Sequence, residues 1–420
     1  MTMLFDPARH ETLATPAWDP QRVRAALAGI VDAAEAAWLP QPGHWPNHPL
    51  DLEPGEDPLQ PSTTLYFGAA GVMWALRHLH ALGATRAPAW LPTPVQARAS
   101  LLALNRAWLA TQGCGAADFG SYLMGELPIE MMASAEPSPE GAAAAERVAA
   151  LIEGGLAHPA RELMWGAPGG LLAAVFMQER RPQEPRWAAL YRRVAERLWA
   201  ELQWSPEQQC HYWSQDLYGR RYSFLDGVHG FVATAHALIR GRHLLPPEQW
   251  QDWARVIETT MARSATWDRA AGLANWRNEL LARPGAMPQP MLLQFCHGAP
   301  GFVICLAGLP GPALDGLLQA AGELVWAAGP LAKGANLCHG TAGNGYAFLK
   351  LYERSGEARW LERARAFAMH AIAQAEAERR RHGQHRFSLW TGDLGLACFL
   401  WDCLRGRAAF PTLDLFWPEA

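Results

Sequence analysis

The sequence predicts an all-α protein, an α/α toroid (barrel) of about seven helical hairpins. Three observations carry that expectation: helical periodicity through most of the chain, a recurring Gly-x-x-Gly-like turn, and few alternating strand patterns. Trp187, Leu190, Tyr191, Val194 and Leu198 form one apolar stripe; Leu314, Leu317, Leu318, Leu324 and Val325 form another. Trp360, Leu361, Ala364, Ala368 and Ala371 repeat the pattern, so each segment reads as an amphipathic helix with one buried face. A turn and then a short, strongly apolar helix follow each amphipathic one. The turns begin at Gly68, Gly166, Gly298, Gly340 and Gly392, with an altered sixth at Gly227-Val-His-Gly230 and a weak seventh at Gly125-Glu-Leu-Pro128. Gly298 and Gly340 lie 42 residues apart and Gly340 and Gly392 lie 52 apart, a helix-pair period. The apolar helices can be buried on every side and form an inner ring; the amphipathic ones form an outer shell. Hairpins that return on themselves gather the glycines at one rim, a natural funnel for a site. In chain order we expect an N-terminal arm and Pro-rich connector over 1–62, the toroid over 63–410 and a tail over 411–420.

Composition narrows the function classes. Half of the 420 residues are apolar, which suits a large core. The net charge of −4, from 36 basic and 40 acidic residues, argues against nucleic acid or an anionic membrane as main partner. No run approaches the roughly eighteen apolar residues of a membrane span, and the first residues read as a polar arm rather than a signal peptide. A soluble, cytoplasmic protein is expected. The seven cysteines are scattered, which suits free thiols better than a disulfide framework, with some recruited for metal.

Two turns carry the same extension, Cys296-His297-Gly298 and Cys338-His339-Gly340. A single Cys-His pair is commonly a packed thiol beside a hydrogen-bonded histidine. Two copies at equivalent places on one rim can converge, and thiolate and imidazole are preferred zinc ligands. Three protein ligands with one open position make a catalytic site; a fourth, His297, would close it into a structural one.

Phe295-Cys-His-Gly-Ala-Pro-Gly301 and Leu337-Cys-His-Gly-Thr-Ala-Gly-Asn-Gly-Tyr-Ala-Phe-Leu349 resemble signatures of the lanthionine synthetase C-like (LanC-like) family. Glu162-Leu-Met-Trp-Gly-Ala-Pro-Gly169 and Gly227-Val-His-Gly230 match family turns in the same order. The resemblance runs from about Thr64 to Leu404 and is closest to the eukaryotic-type, glutathione-using members. It implies a seven-hairpin toroid and one zinc ion on Cys296, Cys338 and His339. It also implies His229 as the acid/base histidine, against a plain turn role, and addition of a thiol across dehydroalanine or dehydrobutyrine. Glu162 would orient a histidine, hold substrate or cap a helix end. His297 would be a second proton donor, a partner to a thiolate, or structural. Lys333 matches a glutathione-contacting lysine, though a rim lysine can equally be solvated. Leu292 stands where bacterial peptide cyclases tend to have arginine, and Thr391 where many members are acidic. Three functions stay open: addition of glutathione or another thiol to dehydroamino acids in peptides or proteins, intramolecular lanthipeptide cyclisation, and non-catalytic zinc and glutathione binding. The electrophile would come from a separate dehydratase or kinase.

Overall fold

The computed structural model describes residues 3–417 except 15, 53, 54, 56, 87–89 and 282–289. Its helices, in chain order, are α1 (Pro20–Ala36), α2 (Ala69–Ala81), α3 (Pro94–Thr111), α4 (Leu127–Ser134), α5 (Pro139–Gly154), α6 (Ala167–Arg180) and α7 (Arg186–Ala200). They continue as α8 (Phe231–Arg240), α9 (Pro247–Ser264), α10 (Ala299–Leu306), α11 (Asp315–Ala328), α12 (Thr341–Ser355), α13 (Ala358–His382) and α14 (Asp393–Arg405). Even-numbered helices form the inner ring and odd-numbered ones the shell. Every residue of α10 is buried, whereas α7 buries only the stripe Trp187, Leu190, Tyr191, Val194, Ala195 and Leu198. Each inner helix packs on the next, and α14 packs on α2, which closes the ring. The outer partner of α14 is α1, so the two ends of the chain interlock.

The two layers start differently. Several outer helices carry side-chain caps: Asp19 accepts from the amides of Gln21 and Arg22, Ser138 from Gly141, and Thr93 forms a capping box with Gln96. Most inner helices begin at a glycine, with the preceding turn folded back over their first residues.

Three antiparallel hairpins interrupt the helices: β1 (Gln203–Ser205) with β2 (Cys210–Tyr212), β3 (Gln215–Leu217) with β4 (Arg220–Tyr222), and β5 (Ala265–Asp268) with β6 (Leu273–Trp276). Strands of three or four residues are too short to show alternation in a sequence.

The rim turns are stitched together by main-chain bonds. Cys296 N–H donates to Cys338 O at 3.0 Å, Cys338 to Trp390 at 2.9 Å, Trp390 to Tyr66 at 3.0 Å, Tyr66 to Leu123 at 3.1 Å and Leu123 to Met164 at 3.3 Å. Leu163 N–H continues the circuit to Val228 O at 3.3 Å. Apart from Leu163, one residue earlier in its turn, these residues stand two before the turn glycine in successive repeats, so the seven turns share a frame.

The bore is filled by the chain's own C-terminal segment. Tyr122 donates to Thr412 O at 2.6 Å, Trp74 Nε1 to Phe416 O at 2.8 Å, and Trp390 Nε1 to Thr412 Oγ1 at 3.1 Å. Lys350 pairs with Asp414 at 2.8 Å, and Phe410 stacks on Phe295 with centroids 4.7 Å apart. Among the described residues no helix is long and apolar enough to cross a membrane. All seven cysteines are free.

Candidate functional site

Four residues before the rim glycine of most turns, a polar side chain ties down its own turn. Thr64 accepts from Phe67 N–H, Ser121 from Met124, Asp226 from Val228 and His229, and Asn336 from His339. Glu162 does the same with both oxygens, to Met164 at 2.8 Å and Trp165 at 2.6 Å. The Cys296 turn instead depends on Gly298, whose φ of +106° suits glycine and whose added Cβ would meet Leu292 O at 2.1 Å.

On this frame Cys296, Cys338 and His339 converge, with one ligand-type atom from each all within 4.8 Å of one another. Cys338 is buried and Cys296 half-buried. Tyr66 donates its hydroxyl to Cys338 Sγ at 2.8 Å, and Gln294 Nε2 donates to Cys296 Sγ at 3.0 Å. The hydrogen bond from Cys296 holds the Cys338 thiol below its ordinary range against the cost of burial, with help from Tyr66. That same contact, and burial, push Cys296 well up. The two sulfurs are therefore in direct electrostatic contact, with Cys338 the more readily deprotonated of the pair. A divalent cation there would balance two thiolates, and the two sulfurs with the imidazole are a donor set that could hold a metal ion.

Beside this cluster stand two histidine–carboxylate pairs. His229 Nδ1 lies 2.9 Å from Glu162 Oε2, and His297 Nδ1 lies 2.9 Å from Asp226 Oδ2. Both carboxylates are fully buried, while the histidine side chains keep 17% and 22% of their exposure. Burial disfavours a charged His229, but the Glu162 carboxylate, with the charges of Asp226 and Cys296, raises its pKa to about 9. Burial and the Asp226 carboxylate oppose each other at His297 in the same way, with the pKa again raised to about 9. Both shifts favour the imidazolium form at neutral pH; His229 is hydrogen-bonded through Nδ1 to Glu162, and His297 is in ion-pair contact with Asp226.

The family model for lanthionine synthetase C-like proteins matches residues 142–415. The chain belongs to this family. It is 37% identical over 135 residues to the protein "Glutathione S-transferase LANCL1" of Danio rerio, a stretch covering 30% of this chain and 32% of that one. It is 37% identical over 123 residues to "LanC-like protein GCL1" of Arabidopsis thaliana, covering 27% and 28%. The chain thus matches about a third of the length of these relatives. The solved structure of "Nisin cyclase" superposes with a TM-score of 0.58 at 12% identity, covering 94% of this chain and 97% of that one, a likeness of fold.

Within this LanC-like frame the remaining expected residues fall as follows. Lys333 is exposed on the loop before Cys338, near enough for its charge to favour the Cys338 thiolate. Thr391 hydrogen-bonds Ser388 at 2.9 Å and serves its own turn. Leu292 contributes its carbonyl to Asn275 Nδ2 at 3.1 Å. Glu162 both caps its turn and holds His229, two roles that had been separate alternatives. Asp226, Tyr66 and Gln294 had not been singled out. Register would have found Asp226, because it stands four residues before Gly230 as Glu162 stands before Gly166 and Asn336 before Gly340.

Proposed function

We propose that the chain adds a thiol, either glutathione or a peptide cysteine, across dehydroalanine or dehydrobutyrine residues to form a thioether. In this reading Cys296, Cys338 and His339 hold one zinc ion. Bound there, zinc would supply a thiolate at neutral pH from a thiol whose unperturbed pKa is about 8.5. The sulfur forms a bond to the β-carbon, and the π electrons of the double bond move to the α-carbon and its carbonyl. His229, tethered at Nδ1 and charged, donates the proton from Nε2 to the α-carbon. The proton given up by the thiol restores the histidine, so the net change is addition of S–H across C=C. In the same reading His297 is the second donor, and Lys333 meets a carboxylate of the incoming thiol.

The observation that carries this reading is the pairing of two imidazolium–carboxylate dyads with a Cys₂His cluster on one rim. A purely structural metal site has no use for two charged, partly exposed histidines. Incubating the protein with a dehydroalanine peptide and glutathione, and separately with a dehydrated peptide carrying its own cysteine, tests it by mass spectrometry. An adduct from the first mixture selects glutathione; a mass-neutral loss of the free thiol in the second selects cyclisation. Neither product from zinc-loaded protein would leave only binding. Cys338→Ala should lose stoichiometric metal. His229→Ala should keep it while turnover falls by roughly 10²–10⁴. Normal turnover in His229→Ala with loss only in His297→Ala would exchange the two roles.

A further inference from the structure

The β3–β4 hairpin turns through Tyr218 and Gly219, with φ of 52° and 72°. Left-handed backbone favours glycine or asparagine, and a bulky aromatic there carries strain. Tyr218 is also 71% exposed, so the fold gains little apolar burial from it. Its ring nevertheless stands edge-on to His229, with centroids 6.3 Å apart, and Trp165 Nε1 donates to its hydroxyl at 3.4 Å. The wall continues behind it: Tyr222 stacks on Phe224 at 4.4 Å, and Phe224 lies 5.9 Å from the His229 ring and 6.3 Å from that of His297. The hairpin is firmly based. Gln215, fully buried, brackets the Phe224 main chain by accepting from its N–H at 2.8 Å, and Asp216 N–H donates to Pro159 O at 3.0 Å. A rigid base under a strained, exposed aromatic beside both proton donors is an arrangement that serves a ligand better than it serves the fold.

We infer that Tyr218, with Trp165 and Phe224, forms a subsite for an aromatic or large apolar side chain next to the dehydroamino acid of a peptide substrate. This rests on the proposed thiol addition and specifies its electrophile: an extended peptide whose neighbouring residue lies against the wall while the α-carbon meets His229. Flat aromatic faces offset or edge-on at such distances hold another ring, whereas a glycine neighbour leaves them wet.

Two fluorescein-labelled peptides test the subsite without chemistry. Both carry Ala in place of dehydroalanine, one with Phe beside it and one with Gly. The full-length protein should bind the Phe peptide about tenfold more tightly, the scale of one well-placed aromatic contact. Tyr218→Gly, which relieves the backbone and should melt no lower than the parent, should bind the two alike; Tyr218→Phe should keep the preference. Equal binding by the parent, or a preference that survives in Tyr218→Gly, overturns the subsite. The dehydroalanine versions with glutathione then separate the two ideas. A Phe preference in binding with no adduct from either peptide retains the subsite and sinks the thiol addition, and adducts formed at equal kcat/KM sink the subsite alone.

Discussion

At the scale of single residues, the site's chemistry turns on what each histidine is tied to. Glu162 is committed to two main-chain amides and to His229 at once, so its geometry is fixed before any substrate arrives. Replacing it with Gln keeps an oxygen for the turn and removes the charge that holds His229 protonated. In the proposed reaction, the raised pKa of about 9 keeps His229 able to donate at neutral pH and lets it fail only as pH rises through about 9. Without the carboxylate, burial works against the charged ring and only the charges of Asp226 and Cys296 still favour it, so its pKa falls. Glu162→Gln should therefore lose more kcat at pH 8 than at pH 6, with the alkaline limb of its profile moved to lower pH. A kcat–pH profile whose alkaline limb stays in place would remove His229 as the acid. Glu162 and His229 were both legible in the sequence because each sits in a recognisable turn. Asp226 stands at the same register position as Glu162, four residues before its turn glycine, but its pairing with His297 of the next hairpin is a distance that only the fold displays.

At the scale of elements, the turns do the positioning. The glycines and the 3.6-residue stripes predicted both helical layers, since burial on one face or on all faces leaves a direct trace in composition. The three β-hairpins left no such trace, being short and held by main-chain pairing rather than by an apolar face. Tyr218 was hidden for the same reason: its meaning lies in a dihedral angle and an exposure. The Cys296 turn shows how local conformation places a candidate ligand. Gly298 cannot take a side chain without moving Leu292 O, and the same segment places Cys296 against Cys338. Gly298→Ala should cost about 1–3 kcal/mol, read from the urea midpoint, and should lower metal content by displacing Cys296. A variant with parental stability and full metal would show that the turn is dispensable.

At the scale of the whole molecule, a ring of helices poses a question its own sequence pattern leaves open: what fills the middle. The inner helices are apolar on all sides, yet the bore also holds Lys350, Asp414 and His236. The answer is the C-terminal segment. It runs from Phe410, stacked under Phe295 beside the Cys296 turn, to Phe416 against Trp74 and Phe176. Because this segment touches α2, α6, α8, α12 and the rim at once, it couples inner helices that are not neighbours. The ion pair at its centre is the sharpest test of that coupling. Lys350 and Asp414 keep only 11% and 12% of side-chain exposure. Burial works against a charged Asp414, but the Lys350 ammonium and its hydrogen bond, with His236 and Arg240, hold the carboxyl below its usual range. Removing one partner strands the other charge in the bore, a cost of about 3–5 kcal/mol for buried pairs, while removing both for apolar side chains is often neutral. Asp414→Leu should thus lower the melting temperature of the entire toroid in one transition, and adding Lys350→Met should recover most of the loss. If Asp414→Leu instead melted in two steps, the tail and the ring would be separate units. A loss that the second substitution failed to recover would place the effect in the shape of the tail rather than in its charge.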